Sequence, residues 1–480
     1  MDYRPLLYVI GVLLAILALS MTIPLLADLA VGNEDWKTFF FCQIFTAFFG
    51  GILILTNAGQ GFQLNVRQAF LLTAFSWIAL SLFAAAPFAM SNLNMSLTDS
   101  VFEAVSGITT TGSTVIKGLD TAPPGILLWR AILQWLGGIG IIVMALSVLP
   151  FLKVGGMQLF KTESSENEKA LPRATQLAAS IGLIYLGLTI ICMLCYQMAG
   201  LSSFNAWAHA MTTIATGGFS TFDASFSNFD TVWVEIVAIV FMLMGGLPFI
   251  LYVKALKGNW KALFRDSQVK TFLKIVAFAV ISMTIYLIAQ DREDFAKALR
   301  RASFNVVSVI TGTGYTNGDY GAWGGFAVSL VFFLMVIGGC AGSTTCGIKV
   351  FRFQVLYAVA ITQLKELLHP HGVFMPHYNG KALPKGVATS VMSFFFVYIL
   401  CFAALAVSLS FIGLDFMTAM SGAITSISNV GPGLGDIIGP TGTFQPLPDS
   451  AKWLMCIGMV LGRLELFTIL VLFIPHFWRK

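Results

Sequence analysis

The chain has 480 residues, of which 57% are hydrophobic and only 11% charged, whereas a soluble protein carries charge on about a quarter of its residues. That deficit excludes an ordinary soluble domain and places most of the chain in lipid. The formal net charge of +5 is scattered over loops; it does not form the clustered basic surface that follows a phosphate backbone, so nucleic acid is not an expected partner.

In chain order, Leu6 to Ala30 holds one charged residue, Asp28, and about twenty such residues at about 1.5 Å rise cross a hydrocarbon core of about 30 Å. The start lacks the basic n-region and small-residue cleavage site of a signal peptide, so a retained span is expected. Comparable runs follow, and the spans expected are 6–30, 38–57, 69–93, 128–152, 176–199, 231–254, 270–289, 322–348, 386–411 and 450–476. Ten crossings return both termini to one side. On that side fall Arg4, Arg67, Lys153, Lys161, Lys169, Arg173, Lys254, Lys257, Lys261, Arg265, Lys270, Lys274, Lys349, Arg352, Lys365, Lys381, Lys385, Arg479 and Lys480. The other side carries mainly acids, among them Glu34, Asp35, Asp99, Glu103, Asp120, Asp223, Asp230, Asp291, Glu293, Asp294, Asp319, Asp436 and Asp449. The positive-inside rule makes the basic side cytoplasmic, with both termini there.

Four outer segments are too apolar for loops and too short to span: Val101 to Val115, Phe204 to Ser220, Arg301 to Thr316 and Phe416 to Gly435. Each ends in a cluster of glycine and hydroxyl residues, the pattern of a re-entrant half-helix returning as extended chain. The clusters are Thr109-Thr110-Thr111-Gly112-Ser113, Ala215-Thr216-Gly217-Gly218, Ile310-Thr311-Gly312-Thr313-Gly314 and Asn429-Val430-Gly431-Pro432-Gly433. Aligned on a Thr or Val followed by Gly, they place Gly112, Gly217, Gly312 and Gly431 in register, 105, 95 and 119 residues apart. Flexible outer loops would need neither the apolar half-helix nor fourfold recurrence. A bare carbonyl at membrane depth costs several kcal/mol unless partnered, so such chain must line something polar. Four segments around an axis can turn carbonyls inward and replace the water shell of a cation, with the negative ends of the half-helices aimed the same way. Carbonyls without carboxylates suit a monovalent ion. Glu103 and the outer acids are expected either to concentrate cations at the mouth or simply to solvate an exposed face.

The spans after each half-helix carry glycine at mid-depth: Gly137-Gly138, Gly245-Gly246, Gly338-Gly339, and Gly458 or Gly462. Close packing explains these as well as helix breaks do. The third copy goes further. Gly338-Gly339-Cys340-Ala341-Gly342-Ser343-Thr344-Thr345-Cys346-Gly347 is poor helix material between an apolar run and Lys349, and it is expected to leave the helix beneath the filter as a movable barrier. Arg463 and Glu465 stand deep in the last span, where charge is costly. Two residues apart, they do not face each other on a helix, and Arg463 is expected under the filter. Cys192 and Cys195 are a CxxC by spacing, and in an apolar helix they read as packing rather than as a redox pair. His369, His371 and His377 have no partner ligands at metal-binding spacing.

With these residues in view, the whole chain resembles the bacterial Trk/Ktr/HKT superfamily of potassium transporters, specifically its TrkH/TrkG branch. The pieces that carry the likeness are the four clusters, the Gly338 to Gly347 segment and Gly462-Arg463-Leu464-Glu465. The two spans before the first repeat favour Trk over the shorter Ktr subunit. The resemblance implies an all-α membrane protein of four covalently linked membrane–pore-loop–membrane repeats like a potassium channel, plus two N-terminal transmembrane helices. Its divisions are 1–65 for the N-terminal pair and 66–160, 161–260, 261–375 and 376–480 for the repeats. It implies a potassium filter at Thr110, Thr111, Gly112, Thr216, Gly217, Thr311, Gly312, Asn429, Val430 and Gly431, gated by residues Gly338 through Gly347 and Arg463. It also implies K+ as bound and transported ion, a homodimer in the bacterial inner membrane, and a cytoplasmic TrkA-like ring binding NAD(H), ATP or ADP. The chain itself has no GxGxxG unit or Walker A, so no nucleotide is expected on it. Whether flow is passive or coupled to protons or sodium stays open. An enzyme would show converging His, Asp or Lys residues at mid-depth, and only His209, Arg463 and Glu465 qualify; a carrier of organic ions would more often show inverted repeats.

Overall fold

The computed structural model describes residues 2–59, 65–147, 170–229, 231–290, 293–384 and 386–479. Lys153, Lys161, Lys169, Asp230, Asp291, Lys385, Lys480 and the expected division at 160/161 lie outside the described residues.

Lipid offers no partner for backbone N–H and C=O, so an apolar chain of this length satisfies them internally as helix. Seven helices among the described residues are long and apolar enough to cross a membrane: Arg4–Val31, Trp36–Asn57, Val66–Met90, Pro124–Met144, Gln176–Met198, Ser267–Ala289 and Val387–Phe411. The other three expected spans are all broken. Val232–Gly245 and Phe249–Leu256 meet at 92°, Asp449–Arg463 and Phe467–Phe473 at 105°, and Gly325–Val336 stops after 12 residues. The expectation of continuous spans at 231–254 and 450–476 is therefore corrected. Each contains a glycine next to the bend, and hydropathy does not sense direction.

The four expected half-helices are Leu97–Ile108, Ser203–Ile214, Phe295–Ile310 and Phe416–Ser428. Each lies between a lead span and a return span. Their C-terminal halves are buried almost throughout, while Phe48, Leu55, Phe278, Phe396 and Phe411 on the long helices are exposed and form part of the lipid-facing belt. The N-terminal pair crosses closely at Gly11 and Gly50. It docks on the first repeat through Asp28, whose Oδ1 accepts the Gly125 N–H at 2.6 Å at the start of the first return span. Arg67 donates to the Arg479 carbonyl at 2.8 Å and Gln68 to that of Asp2 at 2.7 Å. Both ends of the chain thus meet at one end of the bundle. A two-strand hairpin, His377–Tyr378 with Lys381–Ala382, packs against the helix Val350–Leu368 that follows the broken third return span.

Candidate ion pathway

Each half-helix begins at the end of the bundle opposite the chain termini. Ser96 accepts the Asp99 N–H at 3.1 Å, Ser202 that of Asn205 at 3.3 Å and Asp415 that of Thr418 at 3.1 Å, satisfying first-turn amides. Hydrogen bonding from Thr418 holds the Asp415 carboxyl below its ordinary range. Asp294 precedes the third half-helix without a side-chain cap.

Inside, each half-helix ends in the same reversal. Thr110, Thr216, Gly312 and Asn429 have φ of +54°, +49°, +67° and +53°. Two residues on, Gly112, Gly218, Gly314 and Gly431 have φ of +88°, +81°, +80° and +112°. Between these, Thr111, Gly217, Thr313 and Val430 each donate their backbone N–H five residues back, to Ser106, Thr212, Ser308 and Thr425, at 2.8, 2.9, 2.9 and 3.1 Å. Equivalence is set by this shared geometry. The expected register is corrected: Gly217 lies one residue, and Gly312 two residues, before the position that Gly112 and Gly431 occupy. A residue-then-glycine match does not count residues from the helix end, and the second and third clusters each hold two glycines.

The corrected set closes a ring. A methyl group on Gly112 would overlap the carbonyl oxygen of Gly217, one on Gly218 that of Thr313, and one on Gly314 that of Val430; one on Gly431 would come within 2.8 Å of the Thr111 oxygen. The contacts run from the first repeat to the second, third, fourth and back to the first. Four backbones touch edge to edge with no room for Cβ, and glycine is the residue that permits both that approach and positive φ.

What holds each segment differs. In the first repeat Thr109 Oγ1 lies 2.6 Å from the Val105 carbonyl and 2.7 Å from Thr111 Oγ1. In the third, Thr311 Oγ1 makes the same pair of contacts to Val307 and Thr313, both at 2.7 Å. In the fourth, Thr425 Oγ1 accepts the Gly431 N–H at 3.0 Å, and Ser113 Oγ donates to the Gly431 carbonyl at 2.7 Å. Ala215 and Gly217 leave the second segment without hydroxyls at these places. There Gln134, from the first return span, donates Nε2 to the Gly217 carbonyl at 2.5 Å and accepts the Phe219 N–H at 3.0 Å.

Glu103 does not face the mouth. It is fully buried, accepting from Arg130 Nε at 2.7 Å, from Thr114 Oγ1 at 3.0 Å and from the Val115 N–H at 2.9 Å. Arg130 in turn donates to the Ser220 carbonyl at 2.6 Å and lies 4.1 Å over the Phe219 ring. The expectation that Glu103 concentrates cations or solvates an exposed face is corrected: it and Arg130 tie the strands beyond the first two ring segments together. Arg130 and Gln134 went unremarked in the sequence, although the signal that singled out Arg463, a polar group deep in an apolar return span, marks them equally.

Beneath the ring, Gly338 through Gly347 leaves the helical path. Gly338 to Cys346 are buried. The loop's base is closed by Gly338 N–H to Ile348 O at 2.9 Å and Ile348 N–H to Val336 O at 3.0 Å, and it hangs from the elbow of the second return span through Cys340 N–H to Gly246 O at 3.0 Å. Its tip reaches the ring. Thr344 Oγ1 is 3.1 Å from Thr216 Oγ1, and Cys346 Sγ is 3.8 Å from Thr110 Oγ1. Arg463, 2% exposed, crosses the same space: its guanidinium donates to Thr344 O at 3.2 Å, to Cys346 Sγ at 2.5 Å and to Gly137 O at 2.9 Å. Glu465 pairs with buried Arg352 instead. The cavity bounded by Cys346, Lys349, Arg463 and Glu465 measures about 20 Å3, room for about one water. On the other side of the ring, a vestibule of about 320 Å3 is lined by Gly112, Gly218, Gly314 and Pro432 from the four segments, with Asp223 and Lys117 at its wall. A vestibule on one side of the backbone ring and a buried loop packed against the other make up the candidate pathway.

The chain is a multi-pass membrane cation transport protein: the cation transport protein family TrkH matches residues 36–480, and the chain belongs to that family. Over its full length it is 44% identical to the Trk system potassium uptake protein TrkI of Halomonas elongata, covering 97% of that protein. It is 36% identical to the Trk system potassium uptake protein TrkH of Escherichia coli K12, with 100% of both chains covered. The crystal structure of the potassium transporter TrkH from Vibrio parahaemolyticus aligns with a TM-score of 0.93 over 100% of both chains, at 35% identity.

Proposed function

We propose that this chain takes up potassium across the bacterial inner membrane through a gated, potassium-selective pore. The observation that carries the reading is the closed ring of four glycine-bearing segments between an open vestibule and a plugged inner side. Potassium is the cargo. The ring offers it backbone oxygens at Thr110 to Gly112, Thr216 to Gly218, Thr311 to Gly314 and Asn429 to Gly431, which replace water around a weakly hydrated monovalent ion. The names of the relatives in Halomonas elongata and Escherichia coli support potassium over other cations.

The loop Gly338 to Gly347 and Arg463 form the gate. A guanidinium held by three acceptors in a space the size of one water repels a descending cation as well as blocking it. A cytoplasmic TrkA-like ring that binds NAD(H), ATP or ADP docks on the basic inner loops and moves this plug. The protein works as a homodimer with one pore per protomer and with both termini cytoplasmic, and its repeats divide at 66, 161, 261 and 376.

Flux through the purified protein in liposomes, measured for potassium, rubidium, sodium and protons with and without the regulatory partner, tests the reading. Potassium and rubidium should pass well ahead of sodium, and nucleotide should act only when the partner is present. Sodium passing as readily as potassium would overturn the selectivity. A fixed potassium-to-sodium or potassium-to-proton stoichiometry would replace the pore with a symporter, and a nucleotide response of the chain alone would remove the partner from the scheme.

A further inference from the structure

The four filter segments are equivalent in backbone and unequal in support. In the first and third repeats the side chain before the register glycine, Thr111 or Thr313, is clamped at 2.7 Å to the first residue of its own segment, Thr109 or Thr311. The second repeat has Ala215 and Gly217 at these two positions and cannot make the clamp. Its support comes from outside the repeat, from fully buried Gln134.

The neighbouring return spans show that this is a substitution of chemistry at a matched place. Gly137, Gly245 and Gly462 approach the carbonyls that end the first, second and fourth half-helices, Ile108, Ile214 and Ile427. Three residues before each stands a fully buried side chain: Gln134, Met242 and Met459. Only the first is polar, and it faces the segment whose Ala215 and Gly217 leave both clamp positions without a hydroxyl. A methyl on Gly217 would overlap the Gln134 side chain, so the glycine that removes the clamp also makes room for its replacement.

Resting on the reading of this ring as a selective pore, we infer that Gln134 is a positioning residue for ion selectivity: its amide fixes the Gly217 peptide as the threonine hydroxyls fix those of Thr111 and Thr313. The amide is suited to this because it donates to the Gly217 carbonyl and accepts from the Phe219 N–H at once, holding the backbone on both sides of Gly218. Losing that hold leaves one quarter of the ring free to adjust to a smaller ion, and selectivity suffers before conduction does.

The test is the ratio of potassium to sodium flux in proteoliposomes, because a ratio taken in one preparation is independent of how many pores are open. Gln134→Met installs the side chain found at the matched places of the second and fourth repeats. It should lower the ratio by about fivefold, the worth of roughly one net hydrogen bond. The graft Gln134→Ala with Ala215→Thr and Gly217→Thr rebuilds the clamp of the first and third repeats in the vacated space and should recover most of the ratio. A ratio unchanged in Gln134→Met with normal flux overturns the inference, as does a graft that is unselective or fails to accumulate. If the unsubstituted protein does not discriminate potassium from sodium, it is the pore reading itself that fails.

Discussion

Gly312 and Gly314 stand two residues apart in the third segment and answer to different constraints. Gly312 shares its left-handed backbone with Thr110, Thr216 and Asn429, and a methyl there would come no nearer than 3.2 Å to the Asn429 carbonyl oxygen. Gly314 sits in the ring, where a methyl would overlap the Val430 carbonyl oxygen and crowd Pro432. A non-glycine residue at positive φ costs on the order of 1–2 kcal/mol, less for Asn, whereas a backbone overlap requires the ring to open. Gly312→Asn should therefore keep potassium-selective uptake and Gly314→Ala should lose it, read as growth at limiting potassium and as rubidium uptake; the reverse order would restore the alignment expected from sequence. Glu103→Gln removes the carboxylate that neutralises Arg130 at a buried site, a loss of about 3–5 kcal/mol for a broken buried pair. A large drop in the unfolding temperature of the detergent-solubilised protein should follow, and an unchanged temperature would mean that Arg130 finds other neutralisation. Residue identity made some of this legible. The clusters, the loop and Arg463 stand out by composition, whereas Gly217, Phe219 and Ser220, which Gln134 and Arg130 reach, lie in the next repeat, and no spacing rule connects them.

At the level of elements, the second, third and fourth return spans are interrupted, and the interruptions meet beneath the ring. The second supplies the carbonyls of Gly245 and Gly246 to which Thr344 and Cys340 donate, the third supplies the loop, and the fourth places Arg463 against Thr344 and Cys346. A helix break exposes backbone groups that lipid would leave unsatisfied, so breaks are tolerated where they satisfy one another or line a cavity. If this knot is the barrier, deletion within 340–346 should raise potassium flux strongly in protein that still assembles, and Arg463→Ala should raise it to a smaller extent. Unchanged flux in the deletion would make the loop a static part of the wall. Poor helix composition revealed the third break in the sequence. The other two were hidden because Gly245 and Gly462 serve close packing against the half-helix ends as well as bending.

For the molecule as a whole, the half-helices and the spans between them repeat in one orientation, and the two chain ends meet beside Arg67 and Gln68. An even number of crossings is the simplest path that brings them there. Cysteines introduced at Asp2 and Arg479 should resist a membrane-impermeant maleimide applied from outside to intact cells, while Asp120→Cys, exposed beside the vestibule, should react. Labelling at both termini from outside would invert the topology read from the charge distribution.

The sequence by itself determined the membrane class, the four half-helices and the break at Gly338 to Gly347, because hydrophobic length and helix-breaking composition are local quantities. Only the tertiary structure decided which glycines are equivalent, that Glu103 is a buried strut rather than a mouth charge, and that Gln134 of one repeat bonds to the glycine-bearing segment of the next. Those contacts join residues far apart along the chain or on different elements of one repeat, and packing, which sees distance in space rather than along the chain, is what selects them.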